Sequence, residues 1–150
     1  MNAVADARAY PARPFLAVSA AIVRDGKFLL VRRARPPASG LYSLPGGVVE
    51  AGETLKEALV REIAEETGMR IEPLALAGFR ETIARDGDRR VERHFVILCF
   101  AARWLAGEPV LNGELDDARW IDPSELGAYR TTDGLAEIVA AAVARLDRAR

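Results

Sequence analysis

The sequence predicts an α/β protein, a mixed β-sheet with helices packed on its faces. Two apolar runs, Phe15 to Val23 and Val91 to Phe100, suit strands buried on both sides. Two other stretches, one opening at Thr54 and one from Leu135 to Leu146, carry apolar residues at helical spacing. Their order is strands, helix, strands, helix, which a layered sheet-and-helix domain accommodates. At 150 residues the chain suits one domain that buries about two-thirds of its unfolded surface. Residues 1–14 read as a flexible arm and 15–150 as the domain.

Composition excludes several classes of function. A formal net charge of −1 argues against a general nucleic-acid binder, which needs a basic face. The single cysteine, Cys99, rules out an intrachain disulfide and a thiolate metal cluster, and it reads as a small core residue. No leader-like segment opens the chain, and no apolar run reaches the ~18 residues of a membrane span. The expected location is cytoplasmic.

Taken in order, the arm is alanine-rich, with two prolines and scattered charge. After the first strand, Asp25-Gly26 is a hairpin signal and Lys27 to Val31 returns as the second strand. Arg32, Arg33 and Arg35 follow; Arg33 and Arg35 are the candidates to hold phosphate, with a solvated surface as the bland alternative. Pro36 to Gly40 reads as a loop. Tyr42 to Leu44 is a short strand leading into Pro45-Gly46-Gly47, where paired glycines open backbone geometry and expose main-chain groups to a ligand.

The stretch from Gly47 to Met69 organises the rest. Thr54 is an N-cap with Glu57 three residues on, and Gly68 stands where the helix should end. Leu55, Leu59 and Ile63 form its buried stripe. Glu57, Arg61 and Glu65 are spaced for a ladder of surface ion pairs. Glu62 and Glu66 are not so compensated: they sit one turn apart and repel, with Glu65 nearby. A hard divalent cation held by carboxylate oxygens would supply the missing positive charge, and Mg²⁺ suits such a site, with Mn²⁺ as a substitute.

Beyond the helix, Ile71 to Ala84 has a strand-like middle and Asp86-Gly87-Asp88 marks a turn. His94, the sole histidine, is a poor metal candidate without a second. Gly107 to Asp117 reads as a polar loop and Trp120-Ile121 as a short apolar piece. Asp122-Pro123-Ser124-Glu125 starts a short helix.

Gly47, Glu53, Arg61, Glu62, Ile63, Glu65, Glu66, Gly68 and Met69 reproduce the Nudix box, GX5EX7REUXEEXGU with U a bulky apolar residue. Every fixed position is filled. The chain therefore resembles the Nudix, or MutT-like, superfamily over roughly Phe15 to Leu146, which implies the α/β/α sandwich of that family. The resemblance implies metal ligation by Glu62, Glu65, Glu66 and the Gly46 carbonyl. It also implies that Arg61 orients the carboxylates, that Glu53 fixes the loop or joins through water, and that Gly47 meets substrate. Many relatives carry tryptophan where this chain has Tyr42.

A further ligand or general base outside the box is expected at Glu114, six residues before Trp120, a spacing MutT-like sequences show. Asp116 and Asp117 are the nearby substitutes, and Glu81 and Glu92 the weaker ones. The implied reaction is hydrolysis of a phosphoanhydride. Overall similarity leans toward ADP-ribose pyrophosphatase-like members acting on ADP-ribose or a nucleotide sugar. Ala84 nevertheless stands where such enzymes often carry a proline. A (deoxy)nucleoside triphosphate is the alternative substrate, and a non-catalytic nucleotide-sensing module the alternative class. The expected partner is a small-molecule nucleotide, with no nucleic acid and no membrane, and a homodimer is left open.

Overall fold

The computed structural model describes residues 7–35 and 38–148. The strands are β1 (Phe15–Arg24), β2 (Lys27–Arg33), β3 (Tyr42–Ser43), β4 (Gly46–Val48), β5 (Arg70–Arg85), β6 (Val91–Ala106) and β7 (Leu115–Ile121). The helices are α1 (Leu55–Thr67), a short 3₁₀ helix (Pro123–Ala128) and α2 (Leu135–Arg148). All seven strands join one sheet along the path β3-β2-β1-β6-β5, with β4 pairing β1 and β7 pairing β2. Only β1 and β6 run parallel among these pairings. The sheet is mixed, as expected.

The alternation of side chains along each strand builds two cores. Val18, Ala20, Ile22, Leu29, Val31, Phe100 and Ala102 face one way and pack against Leu59 and Ile63 of α1. Ala21, Phe28, Leu30, Cys99 and Ala101 face the other way, against Leu135, Ile138 and Val139 of α2. Helix, sheet and helix therefore form three layers. With both faces covered, β1 has no room for a polar stripe. Within its buried run the polar residue is Ser19, which donates its hydroxyl to Cys99 Sγ at 3.0 Å.

Several boundaries move because pairing outweighs local composition. β7 begins at Leu115, inside the expected polar loop, since all its residues but Asp116, which sits at a register shift, find a partner along β2. β6 runs on to Ala106 because Ala101 and Ala102 are fully buried between the layers. In the stretch read as an arm, Tyr10 donates its amide to the Glu92 carbonyl and its hydroxyl to Asp86, under the Arg90 guanidinium. Residues 1–6 of the arm, and 36–37 of the expected loop, lie outside the described residues.

The turn at Asp25-Gly26 has positive φ at both residues, the type I′ geometry that the dipeptide favours. Beyond it β1 and β2 stay paired only through Val23↔Phe28 and Arg24↔Lys27. They then separate, and β4 takes the vacated edge of β1 through Ala17↔Val48, Val18↔Gly47 and Ser19↔Gly46. This split brings the Gly46-Gly47 segment, the end of β2 and the start of α1 together.

Candidate active site

Gly46 and Gly47 form part of β4 rather than an open loop, and neither has positive φ. Glycine is needed there for a different reason, close approach. A Cβ on Gly46 would overlap the Val18 carbonyl, and one on Gly47 would overlap the Glu62 carboxylate. The chain then turns into α1, where Thr54 Oγ1 accepts from the Glu57 amide at 3.1 Å. Gly68 closes the helix with φ 77°.

Arg61 is the hub of the first half of the site. Its guanidinium grips Glu53 through two bonds of 2.7 Å, reaches Glu62 at 2.9 Å and Glu65 at 3.1 Å, and donates to the Val48 carbonyl at 3.0 Å. Such a two-pronged carboxylate grip is available to arginine and not to lysine. The Arg61 bonds, with the Glu50 amide, hold the Glu53 carboxyl down at about 2. The same contacts raise the arginine itself. The expected Glu57–Arg61 pair does not form: the guanidinium turns toward Glu53 and Val48 instead. Glu62 meets a cation in its own neighbour, Arg61, folded back along the helix.

Glu66 is different. Its residue is 7% exposed, Oε2 accepts from the Gly46 amide at 3.1 Å, and Oε1 has no hydrogen-bond partner. Arg33 Nη1 lies 3.8 Å from that oxygen, too long for a hydrogen bond. Burial pushes the Glu66 carboxyl up to about 7; Arg33 and the Gly46 amide pull against it, and the charges of Glu62 and Glu114 add to the rise. Glu114 therefore shares the electrostatic neighbourhood of Glu66.

The other sequence candidates divide clearly. Arg35 lies against Gly113, next to Glu114. Arg32 is tied to Asp116 at 2.6 Å. Asp117 accepts from the Tyr42 hydroxyl and, at 2.9 Å, from Arg119, and Tyr42 packs on the α2 side of the sheet. Both aspartates are thus engaged by side chains of β2, β3 and β7. Glu81 is exposed on the edge strand β5, and the Glu92 backbone holds Tyr10. His94 faces Ile83 across β5 and β6.

Among the described residues, no three His, Cys, Asp or Glu side chains stand ready as a metal cage. Arg61 engages Glu62 and Glu65, while Glu66 turns to the Gly46 amide. The donor set still fits a hard divalent cation: it is all oxygen, and it includes the buried, unpartnered Glu66 Oε1.

Residues 13–142 match the family profile described as the NUDIX domain. The chain belongs to the Nudix family of hydrolases. This Nudix chain is 36% identical over 113 residues to the ADP-ribose pyrophosphatase of Methanocaldococcus jannaschii, covering 75% of this chain and 64% of that protein. It spans less than two-thirds of that relative's length. It is 34% identical over 115 residues to the nucleoside triphosphatase NudI of Escherichia coli, covering 72% of this chain and 82% of that one. The crystal structure of a MutT Nudix hydrolase from Burkholderia pseudomallei superposes with a TM-score of 0.74 at 30% identity, covering 85% of this chain and 97% of that one. Nudix hydrolases generally need a divalent metal. No helix among the described residues is long and apolar enough to cross a membrane.

One residue of the site escaped the sequence reading. The Asn112 side chain donates to the Glu66 carbonyl at 2.9 Å and accepts from the amides of Glu114 and Leu115 at 2.9 and 3.1 Å. Its only sequence signal is an asparagine two residues before the candidate acid, the arrangement of an Asx-turn.

Proposed function

We propose that the protein hydrolyses the phosphoanhydride of a nucleoside diphosphate joined to a second moiety, ADP-ribose or a nucleotide sugar, releasing a nucleoside monophosphate. Water adds to one phosphorus, the P–O–P bond breaks, and the leaving phosphate carries away the electron pair. The observation that carries this reading is Glu66, a buried carboxylate with one unpartnered oxygen, set beside the glycine segment and the Arg61 clamp. The ADP-ribose pyrophosphatase relative supports the substrate. Glu62, Glu65 and Glu66, with the Gly46 carbonyl, would hold Mg²⁺ or Mn²⁺. That cation would supply charge neutralisation at the phosphates and would activate water as a nucleophile. Arg61 and Glu53 keep the carboxylates oriented, and Glu114 accepts the proton of the attacking water. Arg33 and Arg35 meet phosphate charge at the rim.

A second reading, cleavage of a (deoxy)nucleoside triphosphate to monophosphate and pyrophosphate, is favoured by the similarity to NudI. A panel of ADP-ribose, nucleotide sugars and dNTPs with Mg²⁺ separates the two by products. ADP-ribose should yield AMP and ribose 5-phosphate, and EDTA should abolish turnover until Mg²⁺ is restored. Tight nucleotide binding without turnover of any of these compounds would instead mark a sensing module.

A further inference from the structure

The loop between β6 and β7 is fastened to the end of α1, and Asn112 is the fastener. The Val110 amide donates to the Thr67 carbonyl at 2.9 Å. Two residues on, the Asn112 amide nitrogen donates to the carbonyl of Glu66, whose carboxylate is the most buried in the site. The Asn112 side-chain oxygen, by accepting from the Glu114 and Leu115 amides, closes the turn that carries Glu114. On the far side, the Glu114 carbonyl accepts from the Ala34 amide at 2.8 Å, one residue beyond Arg33. Helix α1 and the acid-bearing loop therefore meet through one carboxamide, and the Ala34 amide ties the same loop to the end of β2.

We propose that Asn112 is a positioning residue for the reaction, setting the Glu114 carboxylate against Glu66 and Arg33. The proposal rests on the reading of Glu114 as the general base. Asparagine is specifically suited, because the task needs a donor and an acceptor on one short side chain. Alanine removes both. Aspartate keeps the acceptor that closes the turn and sets a second oxygen, with no donor, against the Glu66 carbonyl. A loop held only by its backbone bonds to Thr67 and Ala34 places its carboxylate less accurately, and a misplacement of about 1 Å can cost ~10²-fold in rate.

Asn112→Ala should lower kcat roughly 10–100-fold while KM stays within about twofold, measured with Mg²⁺ and ADP-ribose, or with dGTP where the substrate panel selects it. Glu114→Gln should lower kcat by ~10²-fold or more, and the double variant should fall no further than Glu114→Gln alone. In metal-free protein, amide exchange at Glu114 and Leu115 should accelerate in Asn112→Ala and stay slow in Asn112→Asp. The aspartate variant should lie between alanine and wild type in kcat. A wild-type kcat in Asn112→Ala with Glu114→Gln impaired would overturn the positioning role and leave the Glu114 assignment standing. So would a lowered Tm with unchanged kcat, or losses that multiply in the double variant. A wild-type kcat in Glu114→Gln would overturn the general-base reading, and the positioning role with it.

Discussion

Just before α1, Glu53 meets a guanidinium in two hydrogen bonds and its carboxyl is held at about 2. At the end of the same helix, Glu66 is buried with a single hydrogen bond to one oxygen, and its carboxyl rises to about 7. Both residues belong to one motif. They differ in what surrounds the charge: Glu53 has a full complement of donors, whereas Glu66 has lost water without gaining partners for both oxygens. A satisfied carboxylate holds structure, and an unsatisfied one is available for chemistry. One motif therefore holds a satisfied carboxylate and an unsatisfied one.

The largest test of that division is Glu66→Gln. It keeps an acceptor for the Gly46 amide and removes the charge, so kcat should fall roughly 10²–10³-fold. At pH 8 the metal-free variant should melt no lower than wild type, because it no longer ionises a buried group. A collapse in Tm alongside the rate would mean that Glu66 serves the scaffold after all.

Arg61→Lys attacks the other half. Lysine cannot reproduce the two-bond grip on Glu53 while reaching Glu62, Glu65 and the Val48 carbonyl. On the proposed role of Arg61 in orienting metal ligands, activity should fall roughly 10–100-fold, and Tm should fall as well. Loss of rate with an unchanged Tm would erase the distinction between the two ends.

Stability against pH gives a third contrast, with opposite signs. The raised Glu66 carboxyl binds its proton in the native state before the unfolded chain does. Its contribution is complete below about 4.5 and is lost as pH climbs to about 7. The full swing is about 3 kcal/mol at ~1.4 kcal/mol per unit. Glu53 behaves inversely: its contribution is present above about 4.5 and is lost as pH falls toward about 2. Denaturation of metal-free wild type and Glu66→Gln across pH 4–8 should show the first slope only in wild type. A parallel pair of curves would refute the burial assignment.

The smallest effect belongs to Glu57→Gln. Glu57 makes its structural contribution through its backbone amide at the Thr54 cap, and Arg61 is committed elsewhere. Rate should be unchanged and stability should move within about ±0.5 kcal/mol. An effect comparable to Arg61→Lys would bring Glu57 into the clamp.

Much of the architecture was legible because burial leaves a local signature. Apolar runs marked β1 and β6, the stripe Leu55, Leu59, Ile63 at helical spacing marked α1, and Asp25-Gly26 marked the first turn. β7 was only partly legible: Asp116, Asp117 and Arg119 look like loop residues, and their strand exists because β2 offers a partner. The arginine cluster was legible as a cluster and not as three different contacts.

The spacing of residues along the chain determined by itself which carboxylates share the helix, since a helical repeat depends only on neighbours. It also determined that Gly47 and Gly68 bracket the motif. Which cation each acid meets was decided by the tertiary fold. Arg61 turns toward Glu53 and Val48 because β4 lies against α1, and Arg33 reaches Glu66 because β2 and β1 separate to admit β4. The burial that lifts Glu66, and the Asn112 fastening across 46 positions in sequence, depend on packing between elements. A guanidinium or carboxamide chooses among partners by proximity in space, and proximity between distant segments exists only once the sheet has formed.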